Sequence, residues 1–105
     1  MSCDDATLAG LRREIEACDR DLSAALERRG RLVRAIGTWK RAQGLAPIDL
    51  AREAELVLAF RSGAARDGYG ADALERVLRV ILEESRRIVE GRSSAEAPDR
   101  LDPPR

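Results

Sequence analysis

The chain has 105 residues, of which 36% are charged, 44% are hydrophobic and 3% are aromatic. Its 19 basic and 19 acidic residues cancel, so no global field favours nucleic acid or an anionic membrane as a partner. The absence of histidine excludes Ser-His-Asp and Cys-His nucleophile chemistry and the commonest metal ligand. The charged residues near the start of the chain argue against a secretory leader, and the lack of a long apolar run argues against a membrane span. We therefore expect a cytoplasmic protein.

The first predicted helix spans about residues 7–43. Its apolar or small residues recur at alternating spacings of three and four, the heptad pattern of a helix that packs along one seam. That seam contains Leu8, Leu11, Ile15, Cys18, Leu22, Ala25, Leu32, Ile36 and Trp39. Asp5 or Thr7 is the expected N-cap, and Gly44 is the expected end. Such a helix is roughly 55 Å long, so we expect its seam to be buried against a second copy in a symmetric dimer.

Two shorter helices are predicted to follow. Asp49 is the expected N-cap of a helix that runs to about residue 66. The segment "DGYGAD" predicts a turn, and a third helix over about 71–90 should end with Gly91. The apolar face of this third helix contains Leu74, Val77, Leu78, Ile81, Leu82, Ile88 and Val89. Residues 92–105 lack periodicity and are rich in Pro, Ser and charge, which predicts a disordered tail after one domain at 1–91.

One cation lies on the seam itself, and a second projects from nearly the same face. Arg29 occupies a seam position that a simple zipper would give to leucine, and a buried charge there needs a partner. Lys40 follows on nearly the same face, about 16 Å away along the axis. A guanidinium pairs bidentately with a carboxylate and an ammonium adds a compact charge, so the two can grip a small dianion. The alternative is a salt bridge between Arg29 and a glutamate of another helix.

A third cation, Arg52, falls in the first turn of the second helix. The helix dipole disfavours a cation there unless an anion also binds, so a local anion site is predicted. Asp49 and Glu53 flank this arginine and have plainer interpretations as well. Asp49 fits a helix cap, and Glu53 fits a surface charge or a partner for Arg52.

This set of residues resembles the all-helical (AroQ) class of chorismate mutases. The resemblance covers about residues 8–90 and rests on the segments "LRREI", "LERRGRL", "IGTWK", "IDLAREAEL" and "ILEES". It implies an all-α fold in which three-helix chains intertwine as a homodimer through their long first helices. It also implies conversion of chorismate, a small dicarboxylate, to prephenate without a metal or other cofactor.

The resemblance assigns carboxylate-binding roles to four residues. Arg12 of one copy would reach into the site of the other and, together with Arg29, hold one substrate carboxylate. Arg52, helped by Ser85, would hold the second carboxylate. Each dimer would therefore contain two sites, and each site would borrow Arg12 from the other chain.

The resemblance assigns the remaining roles to the reacting centre. Lys40 would lie at the ether oxygen, and Asp49 with Glu53 would lie near the ring hydroxyl. Arg29, Lys40 and Glu53 are the expected catalytic residues. The reaction needs only confinement of the substrate in a reactive conformer and cations aimed at the charge that develops on the ether oxygen.

One substrate-facing position departs from the family pattern. Where members usually place a glutamine that donates to the ether oxygen, this chain has Val89, which cannot donate. Loss of such a donor typically raises a barrier by about 2.7–4 kcal/mol. The chain is therefore a slow mutase, recruits another donor such as Arg86, or acts on a relative of chorismate. Trp39 replaces a usually small residue and is expected to pack in the core.

Three other functions stay open. A 4-amino-4-deoxychorismate mutase fits because Asp49 and Glu53 accept a hydrogen bond from a hydroxyl or an amine alike. An isochorismate pyruvate lyase has less use for this acidic pair. A non-enzymatic dimerisation module, with Arg29 setting the register, leaves Lys40 and Arg52 unexplained. The sequence also leaves open whether the product serves primary or specialised metabolism, and whether a partner enzyme activates the chain.

Overall fold

The computed structural model describes residues 3–91, with side chains described from residue 7 onwards. Its helices are α1 (Cys3–Gln43), α2 (Leu50–Ser62) and α3 (Ala71–Val89), and the described residues contain no strand. The all-α, three-helix prediction is therefore confirmed for this part of the chain. The predicted tail at 92–105 lies outside it.

The start of α1 differs from the prediction. The helix already includes Cys3, so Asp5 and Thr7 lie inside it and neither is its N-cap. No glycine or proline occurs between Cys3 and Thr7, so nothing in this stretch interrupts helical hydrogen bonding. The two expected caps were wrong because a residue with capping chemistry is also tolerated within a helix.

The end of α1 agrees with the prediction. Gly44 has a φ of +71°, a left-handed conformation that favours glycine. Its N–H donates to Arg41 O at 3.1 Å, and the N–H of Leu45 donates to Lys40 O at 2.9 Å. These two bonds form a Schellman motif, which satisfies carbonyls that the helix end would otherwise leave unpaired.

The second helix begins as predicted and ends early. Asp49 is its N-cap, and the side chain accepts a hydrogen bond from Arg52 N. The helix stops at Ser62, four residues short of the prediction, because Gly63 forms the C-cap and its N–H donates to Ala59 O at 3.0 Å. Serine and glycine are both weaker helix formers than alanine, and this pair outweighs the alanines that follow.

The third helix lies between two glycines with positive φ. Gly70, at the end of the predicted turn, is the N-cap with a φ of +92°, and Gly91 follows the C-cap with a φ of +75°. The predicted end of α3 is thus confirmed to within one residue. The Gly91 N–H donates to Ile88 O at 3.0 Å, which helps to satisfy the last turn.

The chain divides into two compact units, Met1–Leu32 and Val33–Arg105. In the second unit α2 packs against α3, and the buried hydrophobic side chains of the described residues are Leu78 and Leu82. Val77 was predicted on the same face but is exposed. Its position, one residue before Leu78, turns it away from the direction that α2 covers.

The predicted seam of α1 is uncovered in each unit. In the first unit the free thiol of Cys18 is exposed. The exposed leucines and isoleucine of the seam in this unit are Leu8, Leu11, Ile15, Leu22 and Leu32. In the second unit Ile36 and Trp39 are exposed. The expectation that Trp39 packs in the core is wrong for one chain, since 57% of this residue is accessible. No helix among the described residues is long and apolar enough to span a bilayer.

Candidate functional site

The first turn of α2 presents an acid and a base that were both predicted to bind substrate. Asp49 Oδ1 accepts the backbone N–H of Arg52 at 3.0 Å, so the cap interpretation of Asp49 is confirmed. The Arg52 guanidinium binds Glu55 Oε1 at 3.1 Å, and both side chains are more than half exposed. The unfavourable cation in this turn is therefore balanced by a neighbouring carboxylate, through a contact that solvent screens.

Glu53 forms the tightest link between α2 and α3. Arg86 donates from Nε to Glu53 Oε2 at 3.1 Å and from Nη2 to Glu53 Oε1 at 2.5 Å. This hydrogen bonding raises the pKa of Arg86 above its ordinary value, so the guanidinium stays charged at any working pH. The suggested partnership of Glu53 with Arg52 is wrong, because the bidentate geometry across the two helices selects Arg86 instead.

The predicted residues of α3 are engaged in packing and local hydrogen bonds. The Ser85 hydroxyl donates to Ile81 O at 2.7 Å, which is the usual local bond of a helical serine. Val89 is half-buried and packs against Gly37 of α1. Arg41 Nη1 donates to Val89 O at 3.2 Å, so this basic residue helps to cap the end of α3.

The three predicted site cations of α1 lie in different surroundings. Lys40 is half-buried in the last turn of the helix, and its ammonium has no recorded hydrogen bond or ion pair with the described residues. In the first unit Arg29 is half-buried and takes part in a polar interaction, whereas Arg12 is exposed. The structure thus leaves the Lys40 ammonium available, as a role at a developing negative charge requires.

Two adjoining cavities lie between α2 and α3, with volumes of about 300 Å³ and 540 Å³. Both are lined by Glu53, Arg79, Leu82 and Arg86. Glu83 completes the smaller cavity, and the larger one extends along apolar side chains of α2. An apolar wall with a few fixed charges is typical of a small-molecule site. Of the eight predicted site residues, Glu53 is the one that lines these cavities.

The sequence indicates that the two arginines that line the cavities, Arg79 and Arg86, share a helix face, but it does not indicate their partners. Arg79, Leu82 and Arg86 follow the i, i+3, i+7 spacing of one helix face, so their shared direction is readable from the sequence. The partners are not readable. Arg79 binds Glu75 on its own helix, with Nε 2.9 Å from Oε2, whereas Arg86 crosses to α2. The described residues contain no cluster of acidic or thiol side chains that could hold a metal ion.

Comparisons with known proteins place the chain in a family. The T-protein of Haemophilus influenzae is 37% identical over 78 residues, which make up 74% of this chain and 21% of that protein. The chain thus spans about a fifth of the length of this curated relative. The family model for chorismate mutase type II, an isomerase domain, matches residues 11–90. This match includes α2, α3 and all of α1 from residue 11 onwards, so the chain belongs to the chorismate mutase type II family.

Proposed function

We propose that this chain catalyses the rearrangement of chorismate to prephenate. The observation that supports this most strongly is that the family match at residues 11–90 contains every cation of the predicted site. In the reaction the ether C–O bond breaks while a new C–C bond forms within the same molecule. Atoms and electrons therefore balance without a nucleophile, an oxidant or a proton donor.

In this proposal the carboxylates of the substrate are held by arginines. Arg29 and the Arg12 of a second copy bind one carboxylate, and Arg52 with Ser85 binds the other. Arg52 can exchange Glu55 for a substrate carboxylate because its contact with Glu55 is solvent-exposed, and such pairs contribute little stability. A bidentate contact with the substrate then replaces a weak contact within the helix.

The proposed catalytic cation at the ether oxygen is Lys40. Its half-buried position and its lack of a recorded partner among the described residues support this role. A charge held in a partly desolvated site stabilises developing negative charge more strongly than the same charge in water. Asp49 and Glu53 are proposed to accept hydrogen bonds from the ring hydroxyl.

The proposed working form is an intertwined homodimer. The accessible leucines, isoleucines and tryptophan of the α1 seam support it, because exposed apolar side chains at heptad spacing are typical of helices that pair. The described part of one chain buries few large apolar side chains, and a second copy would supply the missing cover. Pairing would also bring Arg12 of each copy to the site of the other.

The direct test is to offer the purified full chain chorismate and to follow loss of substrate absorbance together with formation of prephenate. We expect turnover by the wild type and a fall in kcat of roughly 10²–10³-fold in Lys40→Ala, as for removal of a donor to developing charge. Arg34→Ala is the matched control, since Arg34 is an exposed basic residue of the same helix. Absence of turnover in the wild type, or equal activity of Lys40→Ala and Arg34→Ala, would contradict the proposal.

A further inference from the structure

We propose that Arg86 makes this site select a ring hydroxyl over a ring amine, and so favours chorismate over its 4-amino analogue. The inference rests on the proposed function, because it assumes that Glu53 faces the ring substituent. It goes beyond that function by assigning a specificity-determining role to Arg86, which is not one of the eight predicted site residues. It also decides between two substrates that the acidic pair alone leaves equal.

The selectivity is inferred from the geometry of the Glu53–Arg86 pair. Each carboxylate oxygen of Glu53 accepts a hydrogen bond from the same guanidinium. The Glu53 side chain is 20% exposed and the Arg86 side chain is 42% exposed, so water screens this pair less than a fully exposed pair. A paired carboxylate has unused lone pairs, but its negative charge is already balanced. Glu53 therefore keeps its capacity to accept a hydrogen bond and loses its capacity to neutralise a cation.

A hydroxyl and an amine make different demands on such a group. A hydroxyl is neutral and needs only an acceptor, which Glu53 still provides. An amine of ordinary basicity is protonated at neutral pH, so it needs an unbalanced negative charge nearby. Next to Arg86 it would instead meet a like charge, which disfavours its protonated form. The pair thus accepts the hydroxyl and opposes the ammonium.

The other charged residues that line the cavity do not reverse this balance. Arg79 adds a second cation, which Glu75 already partners. Glu83 is the remaining acid, but its side chain is 66% exposed and lies 3.8 Å from Arg87. Solvent screens a charge at that exposure, so it is a poor substitute for a dedicated counter-ion.

The experiment compares kcat/KM for chorismate and for 4-amino-4-deoxychorismate with the purified full chain. The wild type should prefer chorismate. Arg86→Gln removes the balancing cation, so the ratio of the amine to the hydroxyl substrate should rise about tenfold or more. Arg87→Gln is the matched control: it removes the adjacent arginine, which forms ion pairs with the exposed Glu83 and Glu84, and should leave the ratio unchanged.

A second variant should change the ratio in the opposite direction, and it tests the inference even if the first variant does not fold. Glu53→Gln leaves Arg86 without its counter-ion, so discrimination against the amine should become stronger than in the wild type. Circular dichroism establishes whether each variant is folded before its kinetics are interpreted. A purely structural role for the pair would lower both kcat/KM values together and leave their ratio unchanged in both variants.

The outcomes separate the two proposals. If the wild type converts neither substrate, the proposed function fails and this inference fails with it. If the wild type converts chorismate but Arg86→Gln and Glu53→Gln keep the wild-type ratio, only the selectivity inference is overturned. A wild type that prefers the amine, or an Arg86→Gln variant that loses both activities equally, would also overturn it.

Discussion

Gly37 determines how closely α1 approaches the end of α3. It is buried, and a Cβ built on it would lie 3.2 Å from Val89 Cγ1 and 3.4 Å from Val89 Cα. The first distance is shorter than an ordinary van der Waals contact, so the Val89 side chain would have to move by a few tenths of an ångström, whereas the second distance is an ordinary contact. A glycine in the middle of a helix is normally unfavourable, and here this close approach accounts for it.

We therefore expect Gly37→Ala to lower the free energy of unfolding, by about 1–3 kcal/mol, as overpacking of a tight contact typically does. The matched control is Gly30→Ala, in the same helix with nothing within 4 Å of the new Cβ, which should raise stability by up to about 1 kcal/mol. Urea denaturation followed by circular dichroism measures both. In a Val89→Ala background the Gly37→Ala penalty should largely disappear. An equal gain from both glycine substitutions would show that the contact is not tight.

The contact between Gly37 and Val89 could be predicted only in part from the sequence. The family resemblance implied a glutamine at the position of Val89, and this marked the position as a departure. It could not show that Val89 packs on Gly37, because that contact depends on how two distant segments approach. Likewise, the charges of Glu53 and Arg52 were evident, but the choice of Arg86 as the partner of Glu53 depends on side-chain geometry between helices.

At the scale of the helices, local chemistry predicted most boundaries. Gly44 and Gly91 were identified as helix ends, and both have the positive φ that glycine allows. Asp49 was identified as a cap and accepts the expected N–H. The boundaries that failed are those with competing signals: Thr7 has capping chemistry within a helical run, and Ser62 and Gly63 end α2 among alanines.

A charge network joins the end of α2 to the start of α3. Arg61 donates from Nη1 to Asp72 Oδ1 at 2.9 Å and to Glu75 Oε1 at 2.8 Å, while Arg79 also binds Glu75. The hydrogen bonds from Arg79 and then Arg61 lower the pKa of Glu75 below its usual value. Because the folded-state pKa is the lower one, Glu75 stabilises the fold above its unfolded-state pKa, and this contribution is lost as the pH falls through the folded-state value.

We expect Glu75→Gln to lower the urea midpoint at pH 7, and the gap from the wild type to close as the pH falls below about 4. Urea is the appropriate denaturant because a salt such as guanidinium chloride would screen the network. Glu84→Gln is the control, since Glu84 is half-exposed and lies 3.7 Å from Arg87. A gap that stays constant from pH 7 to pH 3 would show that ionisation of Glu75 does not contribute to stability.

At the scale of the whole molecule, the exposed seam of α1 is linked to the proposed chemistry. Heptad spacing predicted that seam, and the described residues leave it uncovered in each unit. The sequence could not predict the exposure of Trp39, because its burial depends on a partner that the heptad pattern does not identify. In the proposal a second copy covers the seam, and the carboxylates of the substrate bind Arg29 and replace Glu55 as the partner of Arg52.

The measurement that tests this claim most directly combines the molar mass in solution with turnover of chorismate for Arg29→Ala. Arg31→Ala serves as the control, because Arg31 is an exposed arginine two positions further along α1. We expect Arg29→Ala to stay dimeric and to lose at least about tenfold in kcat/KM. The loss in kcat/KM is expected because a charge-assisted hydrogen bond of roughly 1.5–3 kcal/mol is removed. Loss of the dimer with unchanged turnover per chain would contradict the claim and would instead assign Arg29 to the register of a helical dimer.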